Sequence, residues 1–157
     1  MTGLSISSAI RDSEWFTTVF KKLAPMKGPT VQKKRKGKKT MSTNISALNE
    51  LEGFIGGCLV DSETGLMLAS EGGGKIDLEA ASALNTQVVK AKLSAMSALK
   101  LNDVIEDILI TLGKQYHLIR PLASAPTVFI YLALDRKSSN LGLARIKLKS
   151  VESNITL

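Results

Sequence analysis

Several residue types are scarce in this chain, and each scarcity excludes something. There is one cysteine, Cys58, so no intrachain disulfide can form, which fits a reducing cytosol. With one histidine, His117, and that single cysteine there is no Cys/His ligand cluster for zinc. Aromatic residues make up only 4% of the chain, too few to build a stacking pocket for an aromatic ligand. Long apolar runs are also missing. The longest near the C-terminus, "TVFIYLAL", is about 8 residues where a membrane-spanning helix needs about 20. At the N-terminus the apolar residues precede the charges and no small-residue cleavage site follows them, so no export signal is read. The expectation is a cytoplasmic protein.

What is present is a domain's worth of apolar sequence and an uneven charge. The 157 residues are 44% apolar and carry a net charge of +7, enough for one core and enough basicity to suggest nucleic acid or an anionic membrane. The distribution undoes that suggestion. Residues 1–40 hold ten Lys or Arg against Asp12 and Glu14, whereas 41–157 hold eleven against twelve acids. All the excess sits in the leader, above all in Lys33, Lys34, Arg35, Lys36, Lys38 and Lys39. Residues 1–40 are read as a basic, disordered appendage or the product of an upstream start, with Met41 a candidate true start. A membrane-surface anchor and a nucleic-acid arm are the alternatives, both acting through charge alone and the second the weaker.

From Met41 the pattern is that of a folded domain. "TNISALNELEG" predicts a short helix with Ile45, Leu48 and Leu51 on one side, Thr43 as its cap and Gly53 at its end. "FIGGCLVDSETGLMLAS" predicts two strands joined through Asp61–Gly65. Residues 77–101 lack Gly and Pro and predict a helix about 35 Å long. Its apolar arc covers about 220°, with Leu84, Ala95, Val88, Ala91, Ala81 and Leu99 on one flank and Leu78, Met96, Val89 and Leu93 on the other. A helix on one sheet needs a stripe of only about 100°, so the surplus calls for a second partner. "VIEDILITL" and "QYHLIRPL" predict a hairpin about Gly113–Lys114. "TVFIYLALD" is apolar at nearly every position and predicts the central strand. A last helix, capped by Ser138 or Ser139, carries Leu141, Ala144, Leu148, Val151 and Ile155 as one stripe. The order is α-β-β-α-β-β-β-α, an α+β fold with a five-stranded, mostly antiparallel sheet.

Catalytic readings fail on the residues. "SEGGGKID" looks like a phosphate cradle, but a P-loop needs Gly where Ala69 stands and Ser or Thr where Ile76 stands, and Asp77 would repel a phosphate. His117 alternates with Ile119 on a strand and reads as structural. Cys58 reads as a small buried apolar residue. Asp61 and Glu63 read as a solvated turn, and Asp103, Glu106 and Asp107 as an acidic entry to a strand. No catalytic, cofactor-binding or metal-ligating residue is assigned, and a binding module is expected rather than an enzyme.

The element order, with "GFIGGCLVDSETGLMLASEGG", "ILITLGKQYHLIRPL" and "SSNLGLARIKL", resembles the roadblock family, named for a dynein light chain and represented among bacterial MglB-type proteins. The likeness covers nearly all of 45–155 and leaves the leader outside, so 41–157 is the expected roadblock-like domain. It rests on Gly65-Leu66, Arg120-Pro121, and Asn140-Leu141 with Ala144-Arg145. The resemblance implies a homodimer built from the long helix and the strand after it, which binds and regulates or scaffolds a small Ras-like GTPase without supplying Arg120, Arg136 or Arg145 as a catalytic finger. No cofactor is expected. Leu84, Val88, Ala91, Ala95 and Leu99, with Ile108 and Ile110, are the candidate interface, because small residues let two helices approach closely. A small-molecule sensor domain, or an adaptor acting on membrane or nucleic acid through the leader, stands as the alternative.

Overall fold

A computed structural model describes residues 41–157; the expectations for residues 1–40 lie outside the described residues. The chain runs through a one-turn 3-10 helix Ser46–Glu50, strands β1 (Phe54–Asp61) and β2 (Met67–Gly72), helix α1 (Leu78–Ala98), strands β3 (Ile108–Thr111), β4 (Gln115–Leu122) and β5 (Ala125–Asp135), and helix α2 (Leu141–Asn154). The strands form one sheet in the order β2-β1-β5-β4-β3. Every adjacent pair is antiparallel, and β5 is central, as its unbroken apolar character requires.

Alternation along β5 divides the core in two. Val128, Ile130, Leu132 and Leu134 point to one face, where Ala144, Leu148 and Val151 of α2 and Ile45 and Leu48 of the 3-10 turn cover them. Phe129, Tyr131 and Ala133 point to the other, where Leu78, Ala81 and Val89 of α1 pack. Cross-strand rows extend this second face: Cys58, Tyr131, Ile119 and Ile108 lie in one register row, and Gly56, Ala133, His117 and Ile110 in the next.

Three local expectations are corrected. The first element is a 3-10 turn, not an α-helix, and Asn44 rather than Thr43 serves it, its side chain accepting from Ser46 N at 2.8 Å. Ile45 at its cap and Leu48 within it, both buried and three apart, suit the threefold 3-10 repeat, and a segment of five residues is too short to propagate an α-helix. Strand β3 begins at Ile108, not Val104. The run Val-Ile-Glu-Asp does not alternate, and Asp107 is held by a bidentate pair with Arg145 of α2 at 2.9 Å for both bonds. Helix α2 is capped by Asn140, whose side chain accepts from Leu143 N at 3.1 Å, while the Ser138 hydroxyl donates to Asp135.

The glycine run has a packing role. Gly72 and Gly73 have φ of 68° and 93°, and a Cβ on Gly72 would meet Phe54 at 2.6 Å and the Ile55 carbonyl at 2.9 Å. Gly73 N donates to that carbonyl at 3.0 Å, so this amide is spent on β1 and does not face outward to an anion.

Candidate partner interface

Helix α1 begins at Asp77, whose carboxylate accepts from Ala80 N at 3.0 Å, with Glu79 in the first turn favouring the positive end of the helix. It ends in a Schellman motif: Lys100 N donates to Ser97 O and Leu101 N to Met96 O, both at 3.0 Å. Lys100 takes the left-handed conformation, φ 54°, a place usually given to glycine.

The sheet-facing stripe is Leu78, Ala81, Ser82, Thr86, Val89 and Met96. Its polar members are satisfied locally. Ser82 Oγ lies 2.8 Å from Glu79 O and 3.2 Å from Gly65 O, and Thr86 Oγ1 donates to Ser82 O at 2.9 Å. Lys90 Nζ reaches Glu63 O in the β1–β2 turn at 3.3 Å, which fixes the side of α1 nearest β2.

About 140° around the helix from Lys90, on the other side, lies an uncovered apolar flank. Val88 is 36% exposed, Leu84 61% and Leu99 67%, and Ala91 and Ala95 are exposed between them. Ala81, read as part of the same flank, is buried on the sheet instead, and Leu93, read with the opposite one, is 47% exposed. Leu84, Val88, Ala91 and Ala95 are spaced four, three and four apart, the seam spacing of paired helices. Ile108 and Ile110 are half-buried on edge strand β3 and pack on the same core as α1. Val88 and Ile108 line one groove of about 560 Å³ with Met96 and Leu101. The structure thus brings the helix flank and β3 to one surface. Of the groove's walls, Met96 was read in the sequence only as part of the opposite flank and Leu101 was not placed on either; the turn that folds Leu101 back onto Met96 carries no glycine to announce it.

The titratable groups elsewhere are engaged structurally. Burial pushes the Cys58 thiol up to about 12, which keeps it an unreactive thiol. Burial also holds His117 below its usual range. Asp61 is held below the usual carboxylate range by its bond from Thr64 Oγ1 at 2.7 Å, so it is an ionised turn residue. Arg120 pairs with Glu152 and Arg145 with Asp107. Among the described residues no group of three His, Cys, Asp or Glu could hold a metal ion, and no helix is long and apolar enough to cross a membrane.

No family model and no curated protein matches the sequence. Solved structures do match the fold. Myxococcus xanthus MglB is 20% identical over 69% of this chain and 85% of its own, with a TM-score of 0.60. A Roadblock/LC7 domain from Streptomyces avermitilis is 10% identical over 68% of this chain and 86% of its own, also at 0.60. The gliding protein MglB of Thermus thermophilus is 15% identical over 68% and 77%, at 0.56. With the sheet order and the two helices already in place, these likenesses show that the chain carries the roadblock fold.

Proposed function

We propose that this protein is a non-enzymatic, cytoplasmic binding module that dimerises through the exposed flank of α1 and through β3, and that the dimer regulates or scaffolds a small Ras-like GTPase. The observation that carries the reading is the apolar seam Leu84, Val88, Ala91, Ala95 and Leu99, left uncovered beside Ile108 on an edge strand. Contiguous apolar surface of this kind is where soluble proteins meet partners. The fold likeness to MglB supports the GTPase connection, and a further solved likeness, 16% identical, is described as MglB with a tetrameric arrangement, so self-association occurs on this fold.

Residues 41–157 are the proposed working domain, since both core clusters fall within them. The isolated segment is expected to stay folded and soluble. Light scattering gives the test of self-association: a monomer at tens of micromolar chain defeats the dimer. Pull-down of purified Ras-like GTPases in their GDP and GTP forms tests the partner, and binding of none of them defeats the GTPase reading while leaving the dimer standing.

A further inference from the structure

A second recess opens on the other side of the loop 99–107. It is a cleft of about 440 Å³ between the C-terminal half of α1, that loop and the β4–β5 turn. Buried Val89 and Leu122 and exposed Leu93, Val104 and Pro126 line it. It exists because the β3 pairing ends at Ile108, opposite Ile119, so the lower end of β4, paired with β5 on its inner side, has no strand on its outer edge and only the loop crosses there. Two of these apolar residues are conspicuously open to solvent: Val104 is 80% exposed and Leu93 47%. None of Leu84, Val88, Ala91, Ala95, Leu99, Ile108 or Ile110 lines the cleft, so a second copy seated on the helix flank does not account for it.

Charge specifies what fits. At one end Arg120 and Glu152 neutralise each other, and Glu152 also accepts from Ala123 N at 2.8 Å, so that pair is occupied. On the rim stand Asp103 and Glu106, both exposed and in no ion pair among the described residues. Asp103 accepts only from its neighbour Val104 N, at 2.8 Å. An apolar slot with two unanswered carboxylates on its rim matches an amphipathic helix that carries an apolar anchor and basic residues one turn away. The 560 Å³ groove on the opposite side of the loop shares Asp103, Val104, Ile105 and Glu106, so an occupant here sits against the same loop that borders the helix flank.

We propose that this cleft is a docking site for a basic amphipathic helix of a protein partner, its apolar side chain entering between Leu93, Val104 and Pro126 and its lysine or arginine meeting Asp103 and Glu106. The site is complete within one chain and does not depend on the dimer. The probe is a fluorescein-labelled helix of leucine and lysine only, titrated into the full chain by anisotropy beside its leucine and glutamate counterpart. The chain's net charge of +7 attracts the acidic peptide in general, so a preference for the basic one must arise locally. The expected result is saturable binding of the basic peptide alone. Two independent variants, Ala123→Trp to fill the cleft and Asp103→Lys with Glu106→Lys to reverse its rim, should each weaken it by about tenfold or more. All the changed positions are exposed, and circular dichroism confirms that the fold is kept. Val88→Gln on the helix flank should leave binding unchanged. Equal or tighter binding of the acidic peptide overturns the proposal, as does wild-type affinity in both cleft variants. Loss of binding in Val88→Gln moves the peptide to the helix flank and overturns it too.

Discussion

The Nδ1 of His117 lies 3.1 Å from the hydroxyl oxygen of the fully buried Tyr131, and the two rings meet edge to face at 89° with centroids 5.4 Å apart. The other ring nitrogen, Nε2, is 2.8 Å from Gln115 Oε1. An amide oxygen only accepts, so Nε2 carries the proton and Nδ1 accepts from the tyrosine. A second proton on the ring would take away the acceptor of a buried phenol.

Burial accordingly holds the His117 pKa below its unfolded value of about 6.5. The sign follows: as pH falls through that value the unfolded chain takes up the proton first, so stability is full above it and is lost down to the lower folded pKa. Urea midpoints should fall between about pH 7.5 and 5. His117→Gln should flatten that segment of the curve, while the loss below about pH 4, where Asp61 and Asp135 with their depressed values titrate, remains. An unchanged slope in the variant would show that other groups carry it.

Lys100 offers a stabilising substitution. At φ 54° in the Schellman turn its Cβ is crowded, and glycine would relieve that strain while losing some unfolded-state restriction. Lys100→Gly should raise stability by about 0.5 to 1 kcal/mol, and Lys100→Val should lower it because a β-branched residue tolerates this backbone worst. Thermal unfolding of the two variants gives the comparison, and a lower midpoint in the glycine variant would refute it.

The Arg120–Glu152 pair links β4 to α2, with side chains only 13% and 11% exposed. Removing one partner leaves a charge in a largely dry site, so Glu152→Ala should cost about 3 kcal/mol. Arg120→Met with Glu152→Leu should recover most of it, because the apolar pair needs no solvation. A double variant no better than Glu152→Ala would show that the bond from Ala123 N to Glu152, rather than the charge pairing, is what matters there.

Those outcomes bear on how far a sequence reaches. The unbroken apolar run in β5, the uninterrupted helix of α1 and the Asp77 start are local patterns, and they were legible. The start of β3 was not, because it depends on Asp107 meeting Arg145 from a distant helix. The sheet-facing side of α1 was ambiguous for a similar reason. Ser82 and Thr86 look like surface residues until their hydroxyls are seen bonded to carbonyls of their own helix, which lets the buried stripe run through them. Narrowing the candidate flank to Leu84, Val88, Ala91, Ala95 and Leu99 used size and periodicity alone. Its exposure, and the burial of Ala81 and exposure of Leu93 against that pattern, needed the sheet in place.

Two adjacent valines provide the sharpest test of the interface. Val88 is 36% exposed and Val89 1% exposed, so one step along the helix passes from solvent to core. A glutamate at 89 would bury an unpaired carboxylate beside Phe129 and Tyr131, at a cost of several kcal/mol, and the chain should fail to fold. A glutamate at 88 projects into water in the single chain and should change its stability by only about 0.5 kcal/mol. Opposite a second helix the same carboxylate would be desolvated in an apolar seam, with Ala91 and Ala95 too short to shield it. The expected outcome is therefore a folded monomer from Val88→Glu and an unfolded chain from Val89→Glu, read by light scattering and circular dichroism together. A Val88→Glu chain that still dimerises puts the contact elsewhere. One that is monomeric and has also lost a GTPase bound by the wild type ties both properties to this flank.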